Sequence, residues 1–156
     1  MNELDKALHI KKMGQVEEAL PLFKSLIDSD ATNAELHHHC GQCHDALGLE
    51  QEAVAYYENA ISLDVREDLL PDTYVCLASS FNVLNRHDRA LETIEEGVRQ
   101  FPDYAPLKVF HSLILFSADQ QADALRTSLL TLLHTTHDAN IKKYERAINH
   151  YAEHLQ

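Results

Sequence analysis

The chain has 156 residues, of which 45% are hydrophobic and 24% charged, and this composition is ordinary for one folded domain. Its formal net charge of −12 argues against nucleic acid or an anionic membrane as the main partner, because both require a basic surface. Trp is absent and aromatic residues make up only 7% of the chain, so no stacking platform for bases is evident.

The cysteines and the apolar segments indicate a cytoplasmic location. The three cysteines are an odd number, no signal peptide precedes them, and the first fifteen residues contain acids and lysines rather than an apolar core. No apolar run approaches the roughly 20 residues of a membrane span. We therefore expect a cytoplasmic protein with free thiols and no membrane contact.

A regular spacing of alanines divides the chain into repeats. Ala19 and Ala53 are thirty-four residues apart, as are Ala90 and Ala124, and three residues are inserted between the second and third of these alanines. Five residues before each alanine stands a residue that tolerates a turn: Gly14, Gly48, Asn85 and Asp119. The pattern predicts four helical hairpins in register.

The first hairpin is predicted over residues 1–33. It pairs a helix from Asn2 to Met13 with a helix from Val16 to about Asp28. Leucines, isoleucines and one phenylalanine recur on one side of each helix, with small Ala7 between the large residues of the first. Each helix therefore has an apolar side that can pack against the other helix of the hairpin.

The second hairpin, over residues 34–67, departs most from a normal apolar pattern. Asn33 is a suitable N-cap, and a conventional helix from Glu50 to Leu63 forms its second half. The large places of its first helix are filled by His37, Cys40 and His44. Residues 68–70 are the insert, which we expect to lengthen the connecting loop or the second helix.

The third and fourth hairpins are predicted over residues 71–104 and 105–138, and the fourth opens with a strongly apolar helix from Pro106 to Ser117. The last stretch, residues 139–156, is predicted to contain one capping helix. Its apolar face would hold Ile141, Tyr144, Ile148, Tyr151 and Leu155. Such a helix covers the last open interface of a stack. No linker or low-complexity segment divides the chain, so the whole chain is expected to form a single domain.

Residues 71–104 contain the pattern that is most informative about the family. Large, small and aromatic residues and a proline stand at places 4, 7, 8, 11, 20, 24, 27 and 32 of this window: Tyr74, Leu77, Ala78, Phe81, Ala90, Ile94, Gly97 and Pro102. The window resembles a tetratricopeptide repeat, and the chain is similar to small stand-alone bacterial proteins of that family. The resemblance implies an all-α, right-handed α-solenoid of four hairpins with a C-terminal cap. It also implies a non-catalytic adaptor or scaffold that binds a partner protein or peptide.

The resemblance further implies where the partner binds, since first helices of these repeats line a concave groove through defined places. In this sequence those places hold Leu4, Leu8, Lys11, Lys12, Glu35, His38, Gln42, Asp45, Asp72, Val75, Ser79, Asn82, Val109, Leu113 and Phe116. The groove would run from an apolar and basic end, through a polar and acidic middle, to an apolar end. That profile fits a peptide with apolar anchors and a basic centre.

The segment from His37 to His44, which reads HHHCGQCH, is the main candidate for a cofactor site. Cys40, Cys43 and His44 match the pattern for covalent haem attachment. On a helix, His39 with Cys43, and Cys40 with His44, are also spaced to share a metal ion. A metal- or haem-responsive protein, or a pH-sensitive histidine cluster, is therefore an alternative function.

Core packing is the favoured interpretation of the same segment. Cys40 and His44 stand at places that normally pack inside a hairpin, and no second Cys-X-X-Cys pair is present. We therefore expect these two residues in the core, His38 and His39 exposed or half-exposed, and no metal or cofactor.

Other classes of function find less support. The sequence contains no Gly-rich phosphate loop and no nucleophile elbow, and Cys76 falls on a first helix, where a buried or half-buried thiol is expected. Catalysis is therefore not predicted. A self-associating structural protein, such as a homodimer, is a further alternative, with the apolar first helix of the fourth repeat as its contact.

Overall fold

The computed structural model describes all 156 residues and contains ten α-helices and no strand. Eight helices form four packed pairs, and two short helices follow. The helices are α1 (Glu3–Lys12), α2 (Val16–Ser29), α3 (Ala34–Ala46), α4 (Glu50–Ser62), α5 (Leu70–Val83), α6 (His87–Gln100), α7 (Ala105–Ser117), α8 (Gln121–Thr135), α9 (Ala139–Lys142) and α10 (Glu145–Glu153). None of them is long and apolar enough to cross a membrane.

The same turn closes all four pairs. Its central residue is left-handed in each case: Gly14 (φ +80°), Gly48 (φ +72°), Asn85 (φ +57°) and Asp119 (φ +60°). The next residue donates its N–H to a carbonyl five residues back, as from Leu49 to His44 at 2.9 Å and from Arg86 to Phe81 at 2.9 Å. This Schellman arrangement satisfies the last carbonyls of the first helix, so the four predicted turn positions are confirmed.

Local chemistry also sets the helix starts and the position of the insert. The side chain of Asn33 accepts a hydrogen bond from the Leu36 N–H at 3.4 Å, which confirms the predicted N-cap. The second and third pairs are joined by residues 63–69, a longer connection than residues 30–33 or 101–104 between the other pairs. The insert therefore lengthens a loop, and Val65 in that loop is buried.

The apolar core divides into two clusters that meet within the second pair. One is formed by α1, α2 and α3 around Phe23, and the other by α4 to α7 around Tyr57 and Phe81. Gly41 brings α3 against α4, because a Cβ at this position would lie 2.7 Å from the Tyr57 ring. Gly41 is thus a point of close contact between the two helices.

The C-terminal segment differs from the single capping helix expected within residues 139–156. The Tyr144 N–H bonds the Ile141 carbonyl three residues back, which ends α9, and a new helix begins at Glu145. Because the helix restarts, its buried side is centred on Ala152, and Tyr144 and Tyr151 are exposed. The prediction that both tyrosines share a buried apolar face is wrong. α10 packs against α8.

Candidate functional site

The first helices α1, α3, α5 and α7 lie side by side and form one continuous surface, here called the first-helix face. Side-chain hydrogen bonds join each helix to the next: Lys11 to Gln42, Gln42 to Asp72 at 2.8 Å, and Asn82 to Ser117 at 3.1 Å. All but the last of these residues were predicted to line the groove. The structure therefore brings predicted residues from three repeats into one hydrogen-bonded row.

The N-terminal end of the face is less open than its sequence indicates. Leu4 and Leu8 are half-buried and pack against the core cluster around Phe23. Lys12 is exposed, whereas Lys11 is half-buried. The apolar part of this end belongs largely to the core, and the cations are what it offers to a partner.

Lys11 is the centre of the polar network. Its ammonium group donates to His39 Nδ1 at 3.0 Å and to the Gln42 side-chain oxygen. Because His39 Nδ1 accepts, its Nε2–H is directed to Glu35, 3.5 Å away. Burial lowers the pKa of Lys11, and the nearby Cys43, Cys76 and Asp72 oppose that effect. The network thus holds a partly desolvated cation among fixed acceptors.

His38 is buried between α3 and α5, so the expectation that it is exposed or half-exposed is wrong. Only 1% of it is accessible. Its Nδ1 donates to the Thr73 hydroxyl at 2.8 Å, since that hydroxyl itself donates to the Leu69 carbonyl. Burial, and then the positive charges of His39, Lys11 and Arg66, lower the pKa of His38 to about 3, even though Asp72 lies 3.6 Å away.

The remaining acidic residues of the middle also have partners. Asp45 accepts from the Tyr57 hydroxyl and the Ser80 hydroxyl, both at 2.7 Å, and burial raises its pKa while these hydrogen bonds oppose the rise. Glu35 accepts from Arg66 at 3.3 Å. Among the other predicted groove residues, Val75 is buried, and Ser79 and Asn82 are half-buried. The polar side chains in the middle of the first-helix face therefore make most of their hydrogen bonds within the chain itself.

The C-terminal end of the face is apolar and open. Val109, Leu113 and Phe116 are 45%, 54% and 63% exposed, and their spacing places them on one side of α7. Val83, at 58% exposure, stands at the neighbouring end of α5, next to the Asn82–Ser117 contact. Sequence reasoning missed Val83, although it stands at the thirteenth place of its repeat, one of the groove-facing places. These four residues are called the apolar row.

The cysteines and histidines of α3 do not converge on a common point. Cys40 and Cys43 are fully buried free thiols and His44 is 2% exposed, so the predicted core packing of Cys40 and His44 is confirmed. His44 donates to the Cys40 carbonyl at 2.8 Å and stacks on Tyr56. No group of three or more His, Cys, Asp or Glu side chains is placed to hold a metal ion.

The environment of the thiols also makes them unreactive. Burial raises the pKa of Cys40 to about 11 and that of Cys76 to about 12. Cys76 is half-buried on α5, as expected for a first-helix thiol. Protonated thiols at neutral pH are poor nucleophiles and poor metal ligands.

Comparison with known proteins gives one sequence family and several similar structures. Residues 34–155 match the family model described as tetratrico peptide repeat. The crystal structure of MamA protein aligns with a TM-score of 0.75 at 18% identity, covering 93% of this chain and 74% of MamA. TTC0263, a thermophilic TPR protein of Thermus thermophilus, aligns with a TM-score of 0.69 at 20% identity, covering 96% of this chain and 81% of its own.

A third similar structure is YrrB, a TPR protein with an unusual peptide-binding site. It aligns with a TM-score of 0.66 at 15% identity, covering 99% of this chain and 84% of YrrB. No curated protein sequence matches the chain. At these identities the structural likeness concerns the fold alone, an all-α solenoid of helical hairpins.

Proposed function

The chain belongs to the tetratricopeptide repeat family, with its all-α, right-handed solenoid fold, and on that basis we propose that it is a non-catalytic interaction module. Its ligand is a peptide segment of a partner protein, bound along the first-helix face. The peptide-binding site named for the similar YrrB structure supports a peptide as the kind of ligand.

The observation that carries this proposal is the exposure of the apolar row. Val109, Leu113 and Phe116 lie about half exposed or more on a helix whose other side packs in the core through Leu107 and Ile114. Apolar side chains grouped in this way mark a contact site, because covering them removes apolar surface from water. They provide the anchoring end for the partner.

The polar middle supplies specificity more than attraction. Asp45, Asp72 and Glu35 already accept hydrogen bonds from this chain, so a basic partner segment gains less from them than their charges indicate. A basic partner segment is attracted mainly by the net charge of −12 of the whole chain. Binding of a basic segment should therefore weaken when salt rises from about 50 to 150 mM, and an unchanged affinity would exclude that electrostatic part.

Peptide selection followed by affinity measurement tests the proposal. Peptides selected from a displayed random library are measured by fluorescence anisotropy against the wild type and against Leu113→Ser/Phe116→Ser. We expect the variant to bind at least about tenfold more weakly, because two truncated anchors lose on the order of 2 kcal/mol.

The matched control is Leu125→Ser/Leu132→Ser, which removes two leucines of α8 that are 48% and 41% exposed. It should change affinity less than twofold. Equal weakening by both variants would refute the first-helix face as the site. A sedimentation mass that doubles with concentration, and is restored to the monomer only by Leu113→Ser/Phe116→Ser, would instead make the apolar row a homodimer contact.

A further inference from the structure

We propose that the C-terminal end of the chain is a second docking surface, which binds an acidic polypeptide segment carrying an apolar residue. This surface lies on α10, which packs on α8, and on the turn that precedes α10, and it is separate from the first-helix face. Its side chains line one shallow depression: Lys143, Tyr144, Arg146, Ala147, His150 and Tyr151. They are called the C-terminal surface.

The cations here have no carboxylate partner within the chain. Lys142, Lys143 and Arg146 make no ion pair, whereas every other arginine except Arg86 pairs with Asp or Glu. Residues 139–156 hold these three cations against two carboxylates, in a chain whose overall net charge is −12. Lys143 and Arg146, which line the depression, are thus two unpaired cations close together on an acidic protein.

Two large aromatic side chains stand among these cations. Tyr144 and Tyr151 are 59% and 70% exposed and lie seven residues apart, about two helical turns. The Lys143 ammonium lies 5.8 Å from the centre of the Tyr144 ring. Exposed tyrosines provide rigid, amphipathic contact area at low entropic cost, which is why they are enriched at protein interfaces.

The surface is held in place from behind. Ala152 is fully buried, and Ile148 is half-buried on the same side of α10. Arg126 of α8 donates to the Ala152 carbonyl at 2.9 Å and to the Leu155 carbonyl at 3.3 Å, which fixes the last turn of α10. The tyrosines therefore project from an anchored helix, and binding requires little ordering of its backbone.

Charge complementarity selects an acidic polypeptide as the occupant. An anionic membrane is flat and wide, so it would meet the acidic body of the chain as well as its three cations. A narrow peptide segment contacts the cations alone, and beyond about 8 Å the repulsion from the body is screened at physiological salt. An apolar residue in the segment packs between the tyrosine rings.

The test is fluorescence anisotropy with the full chain and a labelled twelve-residue peptide of Glu and Asp around two central leucines. We expect saturable binding at about 50 mM salt that weakens as salt is raised. The same peptide with Lys in place of the acids should not bind this surface. Lys143→Glu/Arg146→Glu should weaken binding of the acidic peptide at least tenfold, and Tyr144→Ser/Tyr151→Ser at least fivefold.

The control Lys6→Glu/Lys24→Glu makes the same change in net charge at two exposed lysines of α1 and α2. It should weaken binding less than twofold. Equal weakening by both charge reversals, or no binding of the acidic peptide, would overturn the proposal. So would binding to phosphatidylserine vesicles in place of the peptide, or a concentration-dependent dimer that Tyr144→Ser/Tyr151→Ser abolishes.

Discussion

At the scale of single residues, the histidines of α3 show how polar side chains fill an apolar place. His37, His38 and His44 are each at most 5% exposed, and each ring has one nitrogen bonded to the chain. The partners are the Ala31 carbonyl, the Thr73 hydroxyl and the Cys40 carbonyl. Such a hydrogen bond within the chain lowers the cost of burying a polar imidazole ring.

His38 should make stability depend on pH. The pKa of His38 is about 3 in the folded chain against an ordinary 6.5. Between these two pH values His38 is protonated in the unfolded chain but not in the folded chain. The contribution of His38 to the free energy of unfolding is therefore complete above about pH 6.5. It is lost as the pH falls below that value, by up to about 1.4 kcal/mol per pH unit. Urea unfolding of His38→Gln between pH 7 and pH 4 should show a smaller loss than the wild type.

Neighbouring charges bear on this comparison. Lys11 and Arg66 lower the pKa of His38, and Asp72, whose own pKa burial raises, acts on stability in the opposite direction as pH falls. The control His9→Gln removes an exposed histidine of α1 and should keep the wild-type slope. If His38→Gln also keeps it, the burial of a neutral His38 does not determine the acid response.

At the scale of elements, four equivalent turns with different residues allow an internal comparison. Glycine occupies the left-handed position in the first two pairs, and Asn85 and Asp119 occupy it in the others. Only residues without a Cβ, or with a short polar side chain, adopt this conformation at low cost. The turn is therefore determined within a few residues, which is why the sequence predicts it.

Replacing Gly48 tests that account. Gly48→Ala should lower the free energy of unfolding by about 1 kcal/mol, because a Cβ at φ +72° strains the turn although nothing lies within 4 Å of it. Gly48→Asn should cost clearly less, as the Asn85 turn indicates. Chemical denaturation measures both, and equal costs would show that the short polar side chain of Asn does not relieve the strain of the left-handed conformation at this position.

At the scale of the whole molecule, the stack is tied together by polar contacts as well as by its core. Two apolar clusters divide at the second pair, and the row Lys11–Gln42–Asp72 crosses that division on the first-helix face. Stability in stacked repeats depends on such contacts between neighbours. Lys11 therefore couples the first pair to the second and third.

Lys11→Met should loosen that coupling while keeping much of the side-chain volume. The acceptors on His39 and Gln42 would lose their donor, and we expect amides of α1 and α2 to exchange about tenfold faster in hydrogen-exchange measurements. Amides of α7 and α8 should be unaffected. The exposed neighbour Lys12 provides the control: if Lys12→Met has the same effect, the hydrogen-bonded row does not couple the repeats.

The sequence by itself determined what depends on short separations along the chain. Helix pairs, turns and caps follow from the spacing of small and large residues and from Gly14, Gly48 and Asn33, because their chemistry acts within a few residues. The family pattern also predicted the three residues of the apolar row that lie on α7, but not Val83 on α5. The resemblance to one repeat could be extended to the whole chain because the two helices of every hairpin must approach each other equally closely.

The tertiary structure alone decided which polar side chains are available to a partner. Lys11, Gln42 and Asp72 are some thirty residues apart, and their pairing depends on how successive helices stack. The burial of His38 and the exposure of Tyr144 also depend on how the helices stack. The periodicity of the sequence predicts which residues share one side of a helix, but not which other helix covers that side. One tightened turn at Tyr144 shifts that side, and no local pattern predicts it.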